Sequence, residues 1–438
     1  MESNMKIDQS NALRARAHAV IPGGAHTYAK GDDQYPENAP GFLVRGEGSH
    51  VWDVDGNEFI EYGGLRVVSL GHAYKPVVEA AYQEMLRGCN FCRPSPLEVE
   101  CAEEFLSVVT GAEMVKFAKN GSDATSGAVR LARAYTGRDK IAICGNHPFF
   151  SVDDWFIGST AMNAGIPKAV QALTLRFEYN NIESLRTLFR DHPGQIACVI
   201  LEAEKEMQPA NGFLHDLQRL CQQQGTVFVL DEMITGFRWH IGGAQKFYGI
   251  VPDLSTWGKA LGNGFSAAAL AGKREIMRLG GLDHDRERVF LLSYTHGAES
   301  PSLAAAREVI RIYKKEPVIE SLWEKGRQLD EGIAKAIESH QLRDHFKLLG
   351  RPCCLVFSTF DHTQRPSQPF RTLFMQEMIR RGIIAPAFIP SYSHTDADIA
   401  HTIEAVYESL LIYRKALDEG IDKYLVGCSV KPVWRSHN

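Results

Sequence analysis

From about residue 75 to 315, short apolar runs alternate with helix-length amphipathic stretches. The runs include KIAICG, ACVILEAE, TVFVLDE and SAAALAG, and the stretches between them include ATSGAVRLARAYTG and FLHDLQRLCQQQG. Strands apolar on both faces and separated by helices predict an α/β sheet, largely parallel and covered on both sides. The chain before and after reads differently. PGFLVRGEG and HVWDVDGNEFIEY are short strands around a turn, with Asp55-Gly56 as hairpin chemistry. Over 396–417, Ile399, Ile403, Val406, Leu410 and Leu417 keep three-to-four spacing and predict an amphipathic helix. Strand-like runs at CCLVFSTF and IIAPAFI precede it. The expected architecture is a large α/β domain over 75–315 and a smaller α+β lobe, built from an N-terminal segment (1–74) and a C-terminal domain (316–438). The final twenty residues, ending VKPVWRSHN, read equally as a docked or a disordered tail.

Composition adds exclusions. The chain has 438 residues, 44% of them hydrophobic, which exceeds what one core usually organises. A net charge of −5 offers no broad basic field, so nucleic acid and anionic membrane are poor partners. The first twenty residues lack an apolar signal core and no later run is long enough to span a bilayer, so a cytoplasmic address is expected. Nine cysteines, an odd count, are expected as reduced thiols. Cys89 and Cys92, followed by Cys101, lack the second pair a structural zinc requires, and no metal is expected.

In open α/β sheets ligands collect at the carboxyl ends of strands. VFVLD ends in Asp231, and 28 positions later Lys259 sits in the glycine-flanked connection TWGKALGNG. A lone lysine is usually a solvated charge and a lone strand-end aspartate a cap. Together they suit pyridoxal 5′-phosphate (PLP). A lysine amine condenses with the cofactor aldehyde, and a carboxylate keeps the pyridine nitrogen protonated so that the ring withdraws electrons. Lys119-Asn-Gly121-Ser122-Asp123 opens into the helical stretch SGAVRLARAY. Taken alone this is a capped helix start; beside Lys259 and Asp231 it reads as a phosphate site made of helix N–H groups.

IPGGAHTY, HVWDVDGNEFIEY, LGHAY, NGSDATSGAVRLARAYTGRDKI, VLDEMITGFR and DLSTWGKALGNGF resemble class III PLP-dependent aminotransferases, nearest to the glutamate-1-semialdehyde aminomutase branch. The resemblance runs from about residue 10 to 415 in the family's order. It implies PLP fold type I, with a mostly parallel seven-stranded sheet in the large domain. It also implies that Lys259 carries the cofactor, that Asp231 partners the pyridine nitrogen, and that Gly121 and Ser122 bind the phosphate. Thr295, in SYTHGAES, matches a threonine that reaches the neighbouring subunit's phosphate, which implies a homodimer. Glu202 falls on a glutamate near the family's active site. His147, then Phe149, are the choices for the ring over the cofactor, each equally readable as a packed loop ring.

Two departures bear on substrate. Where the aminomutase has a carboxylate-gripping arginine after IPGG, this chain has Lys30, a point charge in place of a bidentate fork. Residues 34–36 and the THGAE run at 295–299 resemble a branch of sugar and surface-polysaccharide biosynthesis. The expectation is therefore ping-pong transfer from L-glutamate to a sugar-like aldehyde or ketone, such as an eight-carbon keto-sugar acid. Lys30 and Arg66 are the candidate grips for a substrate carboxylate, Arg66 being equally readable as a structural charge. The alternative is the aminomutase reaction itself, an isomerisation. A non-catalytic module would have lost Lys259 or Asp231, and both are present.

Overall fold

Seven strands form the sheet that the apolar runs predict. They lie in the order Met114–Ala118, Ala268–Gly272, Leu254–Trp257, Val227–Asp231, Ile196–Glu202, Lys140–Cys144, Thr174–Phe177. From Leu254–Trp257 to Thr174–Phe177 all neighbours are parallel, whereas Ala268–Gly272 runs antiparallel to both of its partners. The computed structural model describes residues 5–145, 149–210 and 212–436. The chain divides into two units, one chiefly Lys75–Ile319 and the other Met1–Tyr74 with Glu320–Arg435.

The sheet belongs to the first unit. Every residue of Ile196–Glu202 and Val227–Asp231 is buried, as strands covered on both faces must be. The helix Phe213–Gln224 lays Leu214, Leu217, Leu220 and Cys221 in one cluster with Val199, Leu201, Phe228 and Leu230. Truncating a fully buried leucine such as Leu217 to alanine costs about 2–5 kcal/mol. The helix Gly121–Thr136 buries Ala124, Ala128, Leu131 and Ala132 and ends on Gly137, whose φ of 67° is the left-handed stop that glycine adopts cheaply. No helix among the described residues is long and apolar enough to cross a membrane.

In the second unit, Leu43–Glu47, His50–Asp53, Glu58–Glu61 and Ile383–Ile384 make a four-stranded sheet, and Phe346–Arg351 pairs with Cys354–Thr359. The run IIAPAFI contributes only Ile383–Ile384 as strand, because Pro386 has no N–H to donate to a ladder; a single bridge between Leu355 and Phe388 follows. The amphipathic helix spans Asp396–Glu419, capped by Thr395 and Asp398, with Ile399, Val406 and Leu410 in the core. The tail is docked over its described residues: Val430 is buried in that core.

Candidate active site

Strand register assembles the centre of the first unit. Glu202 pairs with Asp231 and Asp231 with Thr256, so three polar residues stand in a row near the carboxyl ends of adjacent strands. Asp231 is buried and its Oδ1 accepts from the Met233 N–H at 2.9 Å and the Thr256 hydroxyl at 3.1 Å. Burial pushes its carboxyl up to about 6, while the Lys259 charge and these two hydrogen bonds hold it from rising further. A carboxylate with depleted solvation beside a cation is suited to a buried N–H⁺ partner, whose charge replaces the missing water.

Lys259 follows Leu254–Trp257 and opens a short 3₁₀ turn, Lys259–Gly262. Its φ of +48° lies in the left-handed region, where a side chain costs about 1–2 kcal/mol relative to the ordinary helix. Such strain is found where surrounding structure fixes one side-chain direction.

Asn120 caps the helix Gly121–Thr136 by accepting from the Asp123 N–H at 3.0 Å, and Asp123 answers on the Lys119 and Asn120 N–H groups. That box leaves the Gly121 and Ser122 N–H groups without an acceptor among the described residues. Ser122 Oγ accepts the Val152 N–H at 3.0 Å, which keeps its own proton free to donate. Two open amides and a hydroxyl at the positive end of a sixteen-residue helix are an anion site.

Met233 ties these pieces together. A Cβ built on Gly121 would stand 3.0 Å from its Sδ, and one on Gly258 would stand 2.7 Å away. The helix start, the segment after Asp231 and the lysine loop therefore meet on one side chain, that of Met233. Ser266 Oγ donates to the Lys119 carbonyl at 2.6 Å, joining the lysine side of the site to the helix start again. Neither Met233 nor Thr256 stood out in the sequence. For Thr256 the signal was available, since it is the polar residue near the end of the strand beside VFVLD.

The remaining candidates divide. Glu202 is buried at the end of its strand. Thr295 is exposed, with its carbonyl accepting from Asn90 Nδ2 at 3.0 Å; on the same segment Glu299 pairs with Lys119. Phe149 is half exposed and meets Phe156 edge to face at 5.8 Å, an intramolecular packing contact. His147 lies outside the described residues. Lys30 and Arg66 belong to the other unit. Lys30 is exposed at the end of a 3₁₀ turn, Tyr28–Lys30. Arg66 is half-buried and follows Leu65 in the left-handed region, with φ of 65° and 54°. Two such residues in succession mark a strained loop.

In the sheet unit an amine, a buried carboxylate and an anion site complement an aldehyde, a protonated pyridine and a phosphate. The comparisons agree with that chemistry. The family model for aminotransferase class-III matches residues 32–409, and the chain belongs to that family. It is a PLP-dependent enzyme of fold type I. It is 34% identical to a glutamate-1-semialdehyde 2,1-aminomutase of Acetivibrio thermocellus over 94% of this chain and 99% of that one. The enzyme of the same name from Akkermansia muciniphila is 34% identical over 92% and 99%. Among solved structures, the PLP form of the FumI protein of Sphingopyxis sp. MTA144 superposes with a TM-score of 0.84 at 28% identity, covering 94% of this chain and 97% of that one.

Proposed function

We propose that the chain moves an amino group within or between carboxylate-bearing substrates, with Lys259 and Asp231 as its catalytic pair. The observation that carries this reading is the buried Asp231 carboxylate, which feels the Lys259 charge and is linked through Met233 to the open end of the Gly121–Thr136 helix. Bound there, PLP supplies an aldehyde and an electron-withdrawing ring on which an amino group is carried. With PLP bound, Lys259 Nζ, once freed from the cofactor, would serve as the general base that takes the proton from the substrate carbon bearing the amino group. Asp231 holds the ring nitrogen protonated, Thr256 fixes the Asp231 carboxylate, and Gly121 and Ser122 grip the phosphate. Glu202 is assigned to the neighbourhood of the cofactor, and the ring over it to His147 or, as second choice, Phe149.

For the substrate, the names of the curated relatives favour the aminomutase reaction, in which glutamate-1-semialdehyde is isomerised to 5-aminolevulinate with no second amino acid. Lys30 favours a second reading: transfer from L-glutamate to a sugar-like carbonyl compound, such as the acceptor of an 8-amino-3,8-dideoxy-octulosonate transaminase. Lys30 and Arg66 hold the substrate carboxylate in either case. The test is glutamate-1-semialdehyde supplied alone to the PLP-loaded enzyme. Catalytic formation of 5-aminolevulinate establishes the mutase. No product, together with loss of the PLP absorbance on adding L-glutamate, establishes intermolecular transfer.

The working unit is a homodimer in the cytoplasm. Val78, Tyr82 and Met85 on the helix Lys75–Met85, with Leu86, Phe91, Phe290 and Tyr294, leave large apolar side chains exposed. Asn90 and Thr295 tie the two stretches together. Sedimentation at micromolar concentration is expected to give twice the chain mass, and a monomer carrying full activity would sink the role given to Thr295.

A further inference from the structure

Residues 424–435 run along the N-terminal segment 32–38, some four hundred positions away in sequence. The contacts are specific. The Lys431 N–H donates to the Asp33 carbonyl at 2.8 Å, and Gln34 Nε2 donates to the Lys431 carbonyl at 3.1 Å, a two-way backbone-level grip. Arg435 Nη2 donates to Asp33 Oδ2 at 2.6 Å, with both side chains mostly buried. The other carboxylate oxygen of Asp33 faces Gly31, where a built Cβ would lie 2.8 Å from it. The Glu37 carboxylate packs on Gly427, whose φ of 76° and missing side chain admit it. Val430 is buried, and its N–H donates to Thr372 Oγ1 at 2.9 Å. Gln376 reads the strap on both sides, accepting from the Val426 N–H at 2.8 Å and donating to the Tyr424 carbonyl at 3.0 Å. Asn38, at the end of the held segment, donates to the Gln376 carbonyl.

The same segment is held from its other flank. Arg14 Nε donates to Asp32 Oδ1 at 3.0 Å, and His18 Nε2 meets Asp32 Oδ2 at 2.9 Å. Asp32 is thus tied to the helix Asp8–Val20 and Asp33 to the tail. Lys30 stands two residues before this pair, at the end of a turn closed by the Gly31 N–H on the Tyr28 carbonyl at 2.9 Å. Lys30 itself makes no side-chain hydrogen bond or ion pair among the described residues, so the region its ammonium can reach depends on where the backbone roots its stem. Both Lys30 and the strap lie outside the span 32–409 that the family model matches.

We propose that residues 424–435 are a positioning strap for substrate specificity: through Asp33 and Glu37 they fix the 28–38 segment and thereby the place of the Lys30 ammonium. This rests on the reading of Lys30 as the carboxylate grip. Lysine offers a single mobile charge on a flexible stem, whereas an arginine fork orients itself by two bonds. A chain that uses lysine gains from a rigid backbone beneath it, and the strap supplies one.

The experiment uses the full-length PLP-loaded enzyme and its Arg435→Ala, Arg435→Lys, Lys30→Ala and Arg435→Ala/Lys30→Ala variants. Two readouts are taken: hydrogen exchange of peptides covering 28–38, and kcat and KM with whichever of glutamate-1-semialdehyde or L-glutamate the enzyme consumes. Arg435→Ala is expected to speed exchange over 28–38 but not over 50–61, and to raise KM about 5-fold with kcat within 2-fold. Arg435→Lys restores most of the KM, and in the Lys30→Ala background the Arg435 change adds nothing further. Unchanged exchange over 28–38 overturns the strap. Faster exchange with an unchanged KM, or a KM rise that persists undiminished in the Lys30→Ala background, overturns its role in positioning Lys30. If Lys30→Ala alone leaves KM unmoved while Arg435→Ala still speeds exchange, the Lys30 reading is what has failed.

Discussion

The two units place their functional side chains by different means. In the sheet unit each candidate sits at a strand end or a helix start, so a run of a few residues defines it: VFVLD delivers Asp231, TWGK delivers Lys259 and KNGSD delivers Gly121 and Ser122. In the other unit Lys30 and Arg66 sit on short turns whose geometry depends on distant chain, as with the Arg435–Asp33 pair. Parallel strands and helix caps are local rules, and the reaction chemistry is built on them. The candidate grips for a substrate carboxylate sit on backbone that only tertiary contacts hold still.

The largest test of this contrast is Lys259→Ala. If catalysis is concentrated in the sheet unit, kcat falls roughly 10⁴-fold, the scale of losing a positioned base, and the PLP absorbance changes. Lys30→Ala by contrast changes KM with little effect on kcat. A Lys259→Ala enzyme that keeps a tenth of the wild-type kcat would remove the lysine from the mechanism.

Next in size is the adjacent pair Asp231 and Glu232, both buried and only one assigned to chemistry. Glu232 accepts from the Ala244 N–H at 2.8 Å and the Gln245 N–H at 2.7 Å, besides the Thr235 hydroxyl, and so staples the following loop. Asp231→Asn is expected to cut kcat about 10²–10³-fold, as loss of a buried charge at the reacting group does. Glu232→Gln should leave kcat within about 3-fold and lower stability by about 1–3 kcal/mol, since an amide cannot accept on both ends. Equal kcat losses in the two variants would mean that burial, and not contact with the ring, decides the effect.

The same carboxylate gives the sheet unit a pH response opposite to that of its companion. Burial raises the Glu232 carboxyl from 4.5 to about 7, against the pull of its hydrogen bonds. The folded state therefore binds its proton more tightly, and the stability gained is full below pH 4.5 and lost as pH rises through 7. In the other unit burial lowers His394 from 6.5 to about 4; Lys325 and His50 add to this, while the Asp398 charge opposes it. Its contribution is full above pH 6.5 and lost as pH falls through 4. Each is on the order of 3 kcal/mol across its window. In the PLP-free protein, hydrogen exchange corrected for its own pH dependence should show protection around Val227–Asp231 falling between pH 5 and 7. Protection at the start of Asp396–Glu419 should rise. Parallel changes in the two regions would refute the assignment of at least one group.

The contrast also explains what the sequence made legible. The α/β class, the large sheet, the C-terminal helix and the glycine-flanked lysine all follow from continuous apolar runs, a period of 3.6 and end-of-element residues. Met233 was invisible because its role is to fill the space that Gly121 and Gly258 leave, a relation between three segments. The tail stayed ambiguous because its anchors, Thr372, Gln376 and Asp33, are polar groups whose spacing carries no period. The run IIAPAFI showed apolar content but not the missing Pro386 donor's effect on the ladder.

The smallest effect sharpens the comparison at two helix starts. Ser122 lies at the beginning of Gly121–Thr136 and Thr395 caps Asp396–Glu419; each side-chain oxygen accepts one backbone N–H, from Val152 and Asp398 respectively. Replacing either by alanine removes one such bond and costs about 1 kcal/mol. Thermal unfolding of the PLP-free variants is thus expected to shift by similar amounts. The difference lies in the ligand. Ser122 also has a proton to give to a phosphate, so Ser122→Ala should release PLP roughly 10–100-fold more readily, the worth of one hydrogen bond to a charged group. Thr395→Ala should retain PLP as the unmodified chain does. If both variants release PLP alike, the Gly121–Thr136 helix start is a structural cap and the phosphate must be held elsewhere.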